Sequence, residues 1–283
     1  MKIAFVGTGF MGYGIALNLL KNGHSVRVIA HRNRERIEKL VSEGATEAKD
    51  YPDLLAEAEA IISCVATASQ LETIADQAKP FLQSVSLWID CTTSRPEVAE
   101  RLGAQLKAHN VDFVDAPVTR GPKDAEKGRL VSLVGAEPEL YERALPLIQC
   151  YSESITRLGP LGAGLKAKLI NNFITMGQVA LVTEAMRAAD LAGIDRRELY
   201  DILIQGAANS GTIRKMVPPS LDGDFSGHAF SLGNGAKDVR YSQEMHVGVE
   251  SGRILAKALD EYYRLQLEKH EDNILLSELL RPE

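Results

Sequence analysis

The chain has 283 residues, 45% of them hydrophobic, and a formal net charge of −6. Such a length and composition are typical of a globular protein with one large domain or two ordinary ones. The acidic balance provides no bulk basic surface for nucleic acid, and no apolar run reaches the ~20 residues needed to span a bilayer. We therefore expect no nucleic-acid partner and no membrane segment.

The three cysteines and six histidines show no spacing typical of a metal site or of a disulfide framework. We expect no metal and a reducing, cytoplasmic location. The apolar start MKIAFVGTGFMGYGIALNLL is interrupted by glycines and lacks a small-residue cleavage site. It therefore predicts a strand, a loop and a helix rather than a signal peptide.

Strand and helix patterns alternate through the first half of the chain. Apolar runs predict strands at KIAFV, HSVRVIA, EAIISCV, SLWIDCT, VDFVDAP and RLVSLVGA. Helical periodicity follows GTGFMG and recurs at RERIEKLVSEG, LETIADQAKPFL, RPEVAERLGAQLKAHN and PELYERALPLI. The alternation, which runs to about residue 157, is typical of an open, doubly wound parallel sheet of the Rossmann type in an α/β protein.

The second half is helical. A single long helical pattern runs from Gly162 to Gly193, and only Gly177 interrupts it. Helices dominate beyond it, with a loop-rich region near residues 206–236. We therefore expect an α/β domain over residues 1–159 and an all-helical domain over residues 160–283, which the long helix joins.

A glycine-rich motif follows the first strand and opens a helix. Gly7 permits a tight turn, Gly9 lets the backbone approach a pyrophosphate, and Gly12 allows close contact between helix and strand. Because strand, loop, helix and second strand are all in place, the motif predicts a dinucleotide-binding loop. The candidate cofactor contacts here are Gly7, Thr8, Gly9, Phe10, Met11 and Gly12.

The end of the second strand favours NADP(H) over NAD(H). An NAD site usually places a carboxylate there to bind the ribose 2′-hydroxyl. This chain instead has His31, Arg32 and Asn33, which suit a 2′-phosphate. The alternative is a solvated basic turn at the start of a helix.

Five segments, in order, resemble those of the β-hydroxyacid dehydrogenase family. They are GTGFMGYGIALNL, DCTTSRP (90–96), DAPVTRG (115–121), GAGLKAKLINN (162–172) and Ala236-Lys237-Asp238. The resemblance implies reversible NAD(P)-dependent oxidation of a 3-hydroxy acid, with an active site in the cleft between the two domains. It also implies a homodimer or homotetramer.

The resemblance assigns catalysis to Lys168, Asn172 and Thr119. Lys168 would transfer the proton of the substrate oxygen, and Asn172 follows one helical turn later. Thr119 stands where the family has a serine and keeps its hydroxyl. Without the motif, Lys168 would be interpreted as a solvated helical lysine, like its neighbour Lys166.

Other family positions fall beside the cofactor. Thr93 matches a position near the nicotinamide, although Thr93 or Ser94 could instead cap the following helix. Lys237 matches a position that faces the cofactor, and a surface lysine is the alternative. Val65 and Ala66 stand where the family often has Leu-Pro, which is a departure from its pattern.

The substrate loop also departs from the family. Arg120 replaces a usual glycine, and the sulfolactaldehyde reductase branch resembles this chain in that respect. With Gly121 and Ser210 as further substrate contacts, Arg120 predicts a small anionic substrate with a second charged or polar group. The alternative is an arginine that points to solvent or pairs with Asp115 or Asp124.

Two other functions compete with a dehydrogenase or semialdehyde reductase. One is a dinucleotide-binding module without chemistry, used for sensing or assembly. The other is an imine reductase of the same architecture, in which another proton donor replaces the lysine. Lys168 argues against both. The preference for NADPH favours the direction of reduction.

Overall fold

The computed structural model describes residues 1–30, 34–246 and 248–282. The chain forms two compact units, Met1–Lys168 and Leu169–Glu283. The boundary expected between residues 159 and 160 precedes the long helix, whereas the division between the units lies inside that helix, after Lys168.

The first unit is built on a sheet in which strands β3-β2-β1-β4-β5-β6 lie side by side in this order and run parallel. This arrangement confirms the doubly wound fold. Short β3 and the helix after it were missed because their residues are few and partly polar. The strands are β1 (Lys2–Val6), β2 (Ser25–Ile29), β3 (Thr46–Ala48), β4 (Ala60–Ser63), β5 (Leu87–Asp90) and β6 (Asp112–Asp115).

The far end of the sheet departs from the parallel arrangement that the sequence predicts. The last three strands are β7 (Val118–Thr119), β8 (Leu130–Gly135) and β9 (Ser152–Gly159). Strand β8 runs antiparallel to β6 and β7 and parallel to β9. Strand β9 escaped prediction because most of its residues are exposed, so its sequence SESITRLG lacks an apolar run.

Helices of the first unit cover or border the sheet. One apolar core includes Ile15 and Leu19 of the first helix, Phe5 of β1 and Tyr151 before β9, all of which are fully buried. These helices are α1 (Phe10–Lys21), α2 (Arg34–Ser42), α3 (Tyr51–Leu55), α4 (Ala68–Ala78), α5 (Pro96–Lys107), α6 (Pro122–Glu126) and α7 (Pro138–Ile148).

The second unit is helical, as expected. Its core includes Met176, Met216 and Tyr263, which are buried. The region near 206–236 is less loop-rich than expected, because a helix occupies residues 211–221 in spite of two prolines inside it. The helices are α8 (Ala163–Ala192), which begins in the first unit, α9 (Arg196–Leu203), α10 (Gly211–Leu221), α11 (Leu232–Met245) and α12 (Glu250–Lys269).

Within the described ranges, every helix is too short or too polar to cross a lipid bilayer.

Candidate functional site

The glycine-rich loop has the geometry that close approach of a pyrophosphate requires. Gly7 has φ of 101°, and a Cβ there would overlap the carbonyl oxygen of Cys64. A Cβ at Gly12 would overlap the carbonyl oxygen of Gly7. A Cβ at Gly9 would meet open space, and Gly9 is the N-cap of α1. The loop thus fits a dinucleotide phosphate placed against the positive end of α1.

Phe10 lies at this loop with 70% of its surface exposed. The guanidinium carbon of Arg36 lies 4.1 Å from the centroid of its ring, in a cation–π contact. Arg34 is bound elsewhere, by Glu47 at 2.8 Å and Glu38 at 3.7 Å. His31, Arg32 and Asn33, the predicted 2′-phosphate ligands, lie outside the described residues.

A buried hydrogen-bond chain organises the ends of β4 and β5. Trp88 Nε1 donates to Ser63 Oγ at 2.8 Å, and Ser63 Oγ donates to Asp90 Oδ1 at 2.6 Å. The Thr92 amide also donates to Asp90 Oδ1, at 3.2 Å. The Val65 amide donates to Thr92 Oγ1 at 3.1 Å. These hydrogen bonds therefore fix the backbone at Val65, one of the predicted cofactor contacts.

The Asp90 carboxyl itself is desolvated. It has no exposed surface, and its Oδ2 has no hydrogen-bond partner in the part of the chain that the structure describes. Burial raises the pKa of Asp90 to about 7, although the bonds from Ser63 and Thr92 act in the opposite direction. This carboxyl therefore takes up a proton near neutral pH.

The predicted capping alternative for Thr93 or Ser94 is wrong. Helix α5 begins at Pro96, and its N-cap is Arg95. Pro96 supplies the fixed backbone angle that suits a first helical position, so no hydroxyl cap is needed. Thr93 is half-buried, just beyond the buried Thr92.

Lys168 lies on α8, half-buried, in the same compact unit as the glycine-rich loop and Thr119. The neighbouring Lys166 is exposed and pairs with Glu100 at 3.1 Å. The two lysines therefore differ in their surroundings, and Lys166 is the surface residue of the pair.

Thr119 is half-buried at the end of β7, and exposed Arg120 follows it. Arg120 Nη1 lies 2.6 Å from Glu153 Oε1 and donates to the carbonyl oxygen of Arg129 at 2.6 Å. Arg120 thus pairs with Glu153 of β9, and not with the Asp115 or Asp124 that the sequence suggested as alternatives. Its φ of 78° is in the left-handed region, where the family's glycine would be unstrained.

A second polar cluster lies within the helical unit. Asn172 Nδ2 donates to Asp238 Oδ2 at 2.6 Å, and both residues are buried. Lys237 Nζ lies 3.0 Å from Asp238 Oδ1. Asn171 Nδ2 donates to Asn172 Oδ1 at 3.0 Å. Asp238 therefore connects two of the predicted site residues, Asn172 and Lys237.

Ser210 has a local structural bond. It is the N-cap of α10, and its Oγ accepts a hydrogen bond from the Ile213 amide at 3.3 Å. Gly121, the other predicted backbone contact, is the N-cap of α6.

From the sequence, Asp90 and Asp238 received no role and Asp115 was named only as a possible partner of Arg120, yet the structure gives all three buried hydrogen bonds. All three stand inside the segments that carry the resemblance, and Asp238 directly follows the candidate residue Lys237. An aspartate at the end of a buried strand is the signal that could have found the first two, since burial of a charged group needs a partner. Among the described residues, no cluster of histidine, cysteine and carboxylate groups could hold a metal ion.

Comparisons with known proteins agree with this fold. The family model described as the NAD binding domain of 6-phosphogluconate dehydrogenase matches residues 2–159. The model described as NAD-binding of NADP-dependent 3-hydroxyisobutyrate dehydrogenase matches residues 162–280. The chain is therefore an oxidoreductase with a Rossmann-type NAD-binding domain.

More particularly, it belongs to the β-hydroxyacid dehydrogenase family, of the 3-hydroxyisobutyrate dehydrogenase type. The 3-sulfolactaldehyde reductase of Escherichia coli (strain K12) is 30% identical over 258 residues, which cover 88% of this chain and 86% of that protein.

Two solved structures share the fold. The 3-hydroxyisobutyrate dehydrogenase from Salmonella typhimurium has a TM-score of 0.87 at 22% identity and covers 99% of both chains. An imine reductase from Pseudomonas sp. has a TM-score of 0.63 at 20% identity, over 98% of this chain and 97% of that one. At these identities the likeness concerns the fold alone.

Proposed function

We propose that the protein is an NADP(H)-dependent reductase of a small acidic semialdehyde, or in the reverse direction a dehydrogenase of the matching 3-hydroxy acid. The observation that carries this proposal is the position of Lys168. It lies in the family motif of residues 162–172, and it shares one compact unit with the glycine-rich loop and with Thr119.

In this proposal the bound nicotinamide supplies the hydride, and the chain supplies the proton. Lys168 donates a proton to the substrate oxygen as the hydroxyl forms, and its positive charge stabilises the alkoxide that develops there. The Thr119 hydroxyl binds and orients the substrate. Asn172, one helical turn beyond Lys168 on α8, has amide groups that can hold the lysine or the substrate oxygen.

Arg120 is the proposed determinant of substrate charge. A guanidinium binds a carboxylate or sulfonate through two parallel hydrogen bonds. Its present partner, Glu153, is an exposed carboxylate, so an anionic substrate group could replace it at little cost. The relative named for a sulfonated aldehyde supports a second anion on the substrate.

The choice of NADP(H) rests on the residues after β2. A strand that ends at Ile29 is followed by Ala30, His31, Arg32 and Asn33, and no carboxylate stands there to meet a 2′-hydroxyl. Since Arg34 is already held by Glu47 and Glu38, Arg32 is the better ligand for a 2′-phosphate.

We also propose that the protein is a homo-oligomer in a reducing, cytoplasmic compartment. Exposed apolar residues recur along α8 at Ile170, Ile174 and Leu181, and the last is 74% exposed. Their spacing of four and seven residues keeps them near one helical stripe, which a second copy of the chain would cover. The three cysteines are thiols.

Binding and turnover test the proposed function together. Purified protein is titrated with NADPH and with NADH, then assayed with mono-anionic and di-anionic semialdehydes and with a cyclic imine. We expect the protein to bind NADPH more tightly than NADH and to turn over the semialdehydes. Cofactor binding without turnover of any substrate would indicate the non-catalytic module, and turnover of the imine alone would indicate an imine reductase.

A further inference from the structure

Asp115 ends β6 and lies against the start of α8. Its carboxylate is fully buried. Oδ1 accepts a hydrogen bond from the Gly162 amide at 2.7 Å, and Oδ2 accepts one from the Leu165 amide at 2.7 Å. A side chain from a different strand thus satisfies amides at the first turn of α8, where helices have unpaired N–H groups.

Two glycines make room for this carboxylate. A Cβ at Gly135, on β8, would overlap Oδ1 of Asp115. A Cβ at Gly164, within the first turn of α8, would lie 2.8 Å from Oδ2 and would also overlap the carbonyl oxygen of Leu133. The helix can therefore approach the end of the strand only because both positions lack a side chain.

The charge of the Asp115 carboxylate suits its place at the N-terminus of α8. A negative charge at the N-terminus of a helix is stabilised by the aligned peptide dipoles. Burial nevertheless raises the pKa of Asp115 to about 6, while the two backbone bonds and the charge of Lys166 act in the opposite direction. The carboxylate is therefore charged at neutral pH, where both of its oxygens can accept.

The first turn of α8, which donates two amide hydrogen bonds to Asp115, directly precedes Lys168. Leu165, whose amide Asp115 holds, precedes Lys168 by three residues, which is slightly less than one helical turn. On its other side Asp115 is followed, after Ala116 and Pro117, by strand β7, which ends at Thr119. One side chain therefore connects the segment that carries the proposed substrate hydroxyl to the helix of the proposed proton donor.

We propose that Asp115 is a positioning residue, which acts through Lys168 by fixing the first turn of α8 against the end of β6. This inference rests on the proposed function of Lys168. Asparagine at this position has one acceptor oxygen, and its amide nitrogen would face an N–H group. Asp115→Asn should therefore release one amide of the first turn and loosen the placement of Lys168.

A double-mutant cycle tests this coupling. Asp115→Asn should lower kcat about 10- to 100-fold, because small misplacements of a catalytic group have effects of that size. The Kd for NADPH should stay within about twofold of wild type, since the glycine-rich loop is untouched. In a Lys168→Ala background, Asp115→Asn should change the remaining kcat by less than about twofold. Asp112→Asn, at the other end of β6, is the matched control.

The outcomes separate the two proposals. If Lys168→Ala keeps full turnover, the proposed function fails and the inference fails with it. If Lys168→Ala loses turnover but Asp115→Asn causes the same loss in both backgrounds, the inference alone is overturned.

Amide hydrogen exchange of the wild-type protein keeps the inference testable even if Asp115→Asn does not fold. The Gly162 and Leu165 amides should exchange as slowly as amides inside the sheet. Exchange of these two amides at the rate of unstructured amides would show that Asp115 does not hold the first turn of α8, and would overturn the inference.

Discussion

Asn172 and Asp238 form a buried hydrogen bond of 2.6 Å from α8 to α11. A second bond joins the same helices, from Ser242 Oγ to the carbonyl oxygen of Leu169 at 3.0 Å. The Asn172 amide is therefore oriented by a carboxylate that also pairs with Lys237. The orientation of one proposed catalytic group and the position of a proposed cofactor ligand thus depend on one residue.

Replacement of Asp238 by alanine should affect both folding and activity. It leaves a buried amide without its acceptor and removes an ion-pair partner of Lys237, so the free energy of unfolding should fall by about 1–3 kcal/mol. Chemical denaturation measures this change, and kcat should fall in parallel. Asp201→Asn, at an exposed position of α9, is the control and should change neither. An unchanged free energy of unfolding in Asp238→Ala would refute the structural role.

Arg120→Gly should leave the free energy of unfolding nearly unchanged while lowering activity on di-anionic substrates. Glycine relieves a left-handed backbone that costs a side-chain residue about 1–2 kcal/mol, but the exposed pair with Glu153, worth less than about 1 kcal/mol, is lost. Because glycine also gains freedom in the unfolded chain, the net change in unfolding free energy should be small.

Activity should respond differently. Loss of a charge-assisted contact should lower kcat/KM about 10- to 100-fold for di-anionic semialdehydes and much less for mono-anionic ones. Glu153→Gln, which frees Arg120, should leave both rates near wild type or raise the di-anionic rate. An equal loss in Arg120→Gly on both substrates would rule out anion recognition by Arg120.

Asp90 should make stability fall as the pH rises towards neutrality. Its pKa is raised from 3.8 to about 7 in the folded protein, so the folded state binds this proton more tightly than the unfolded state. The contribution of Asp90 to stability is therefore largest below about pH 4, declines between about pH 4 and 7 and is constant above, and the total decline is on the order of 4 kcal/mol.

Thermal or chemical unfolding from pH 5 to pH 8 measures this contribution. Asp90→Asn, which cannot ionise, should lose less stability over that interval than the wild type. Asp115, whose Cα is the register partner of Asp90 on β6, titrates in an overlapping range and remains in both proteins. Identical pH dependence in the two proteins would contradict the protonation of Asp90.

Cofactor choice can be tested at Arg32. If its guanidinium binds the 2′-phosphate, Arg32→Ala should weaken NADPH binding about 10-fold or more and leave NADH binding nearly unchanged. Arg34→Ala is the matched control, because Arg34 is already paired with Glu47. Isothermal titration gives both affinities, and equal losses for the two cofactors in Arg32→Ala would refute the assignment.

The sequence was most informative where local pattern and burial coincide. Strands β1, β4 and β5 are mostly apolar and buried, so their positions could be predicted. Strand β9 could not, because its polar residues face solvent and its pairing with β8 depends on distant residues.

Side-chain partners could not be predicted from the sequence either, because they also depend on residues far apart in the chain. The Arg120–Glu153 pair and the bonds from Asp115 to α8 join residues from separate elements, and no local spacing signals them. Glycine spacing and helical periodicity are local properties, so the sequence could place the glycine-rich loop before α1 and the long helix α8. They could not show that Ser210 caps a helix or that Asp238 holds Asn172.

Replacement of Lys168 tests the central claim most directly. Turnover of a semialdehyde by Lys168→Ala, at saturating NADPH, is compared with that of wild type and of Lys166→Ala, whose lysine pairs with Glu100 on the surface. We predict a loss of about 10²- to 10⁴-fold in kcat for Lys168→Ala with NADPH affinity retained, and a change of only a few-fold for Lys166→Ala. Full turnover by Lys168→Ala would contradict the account.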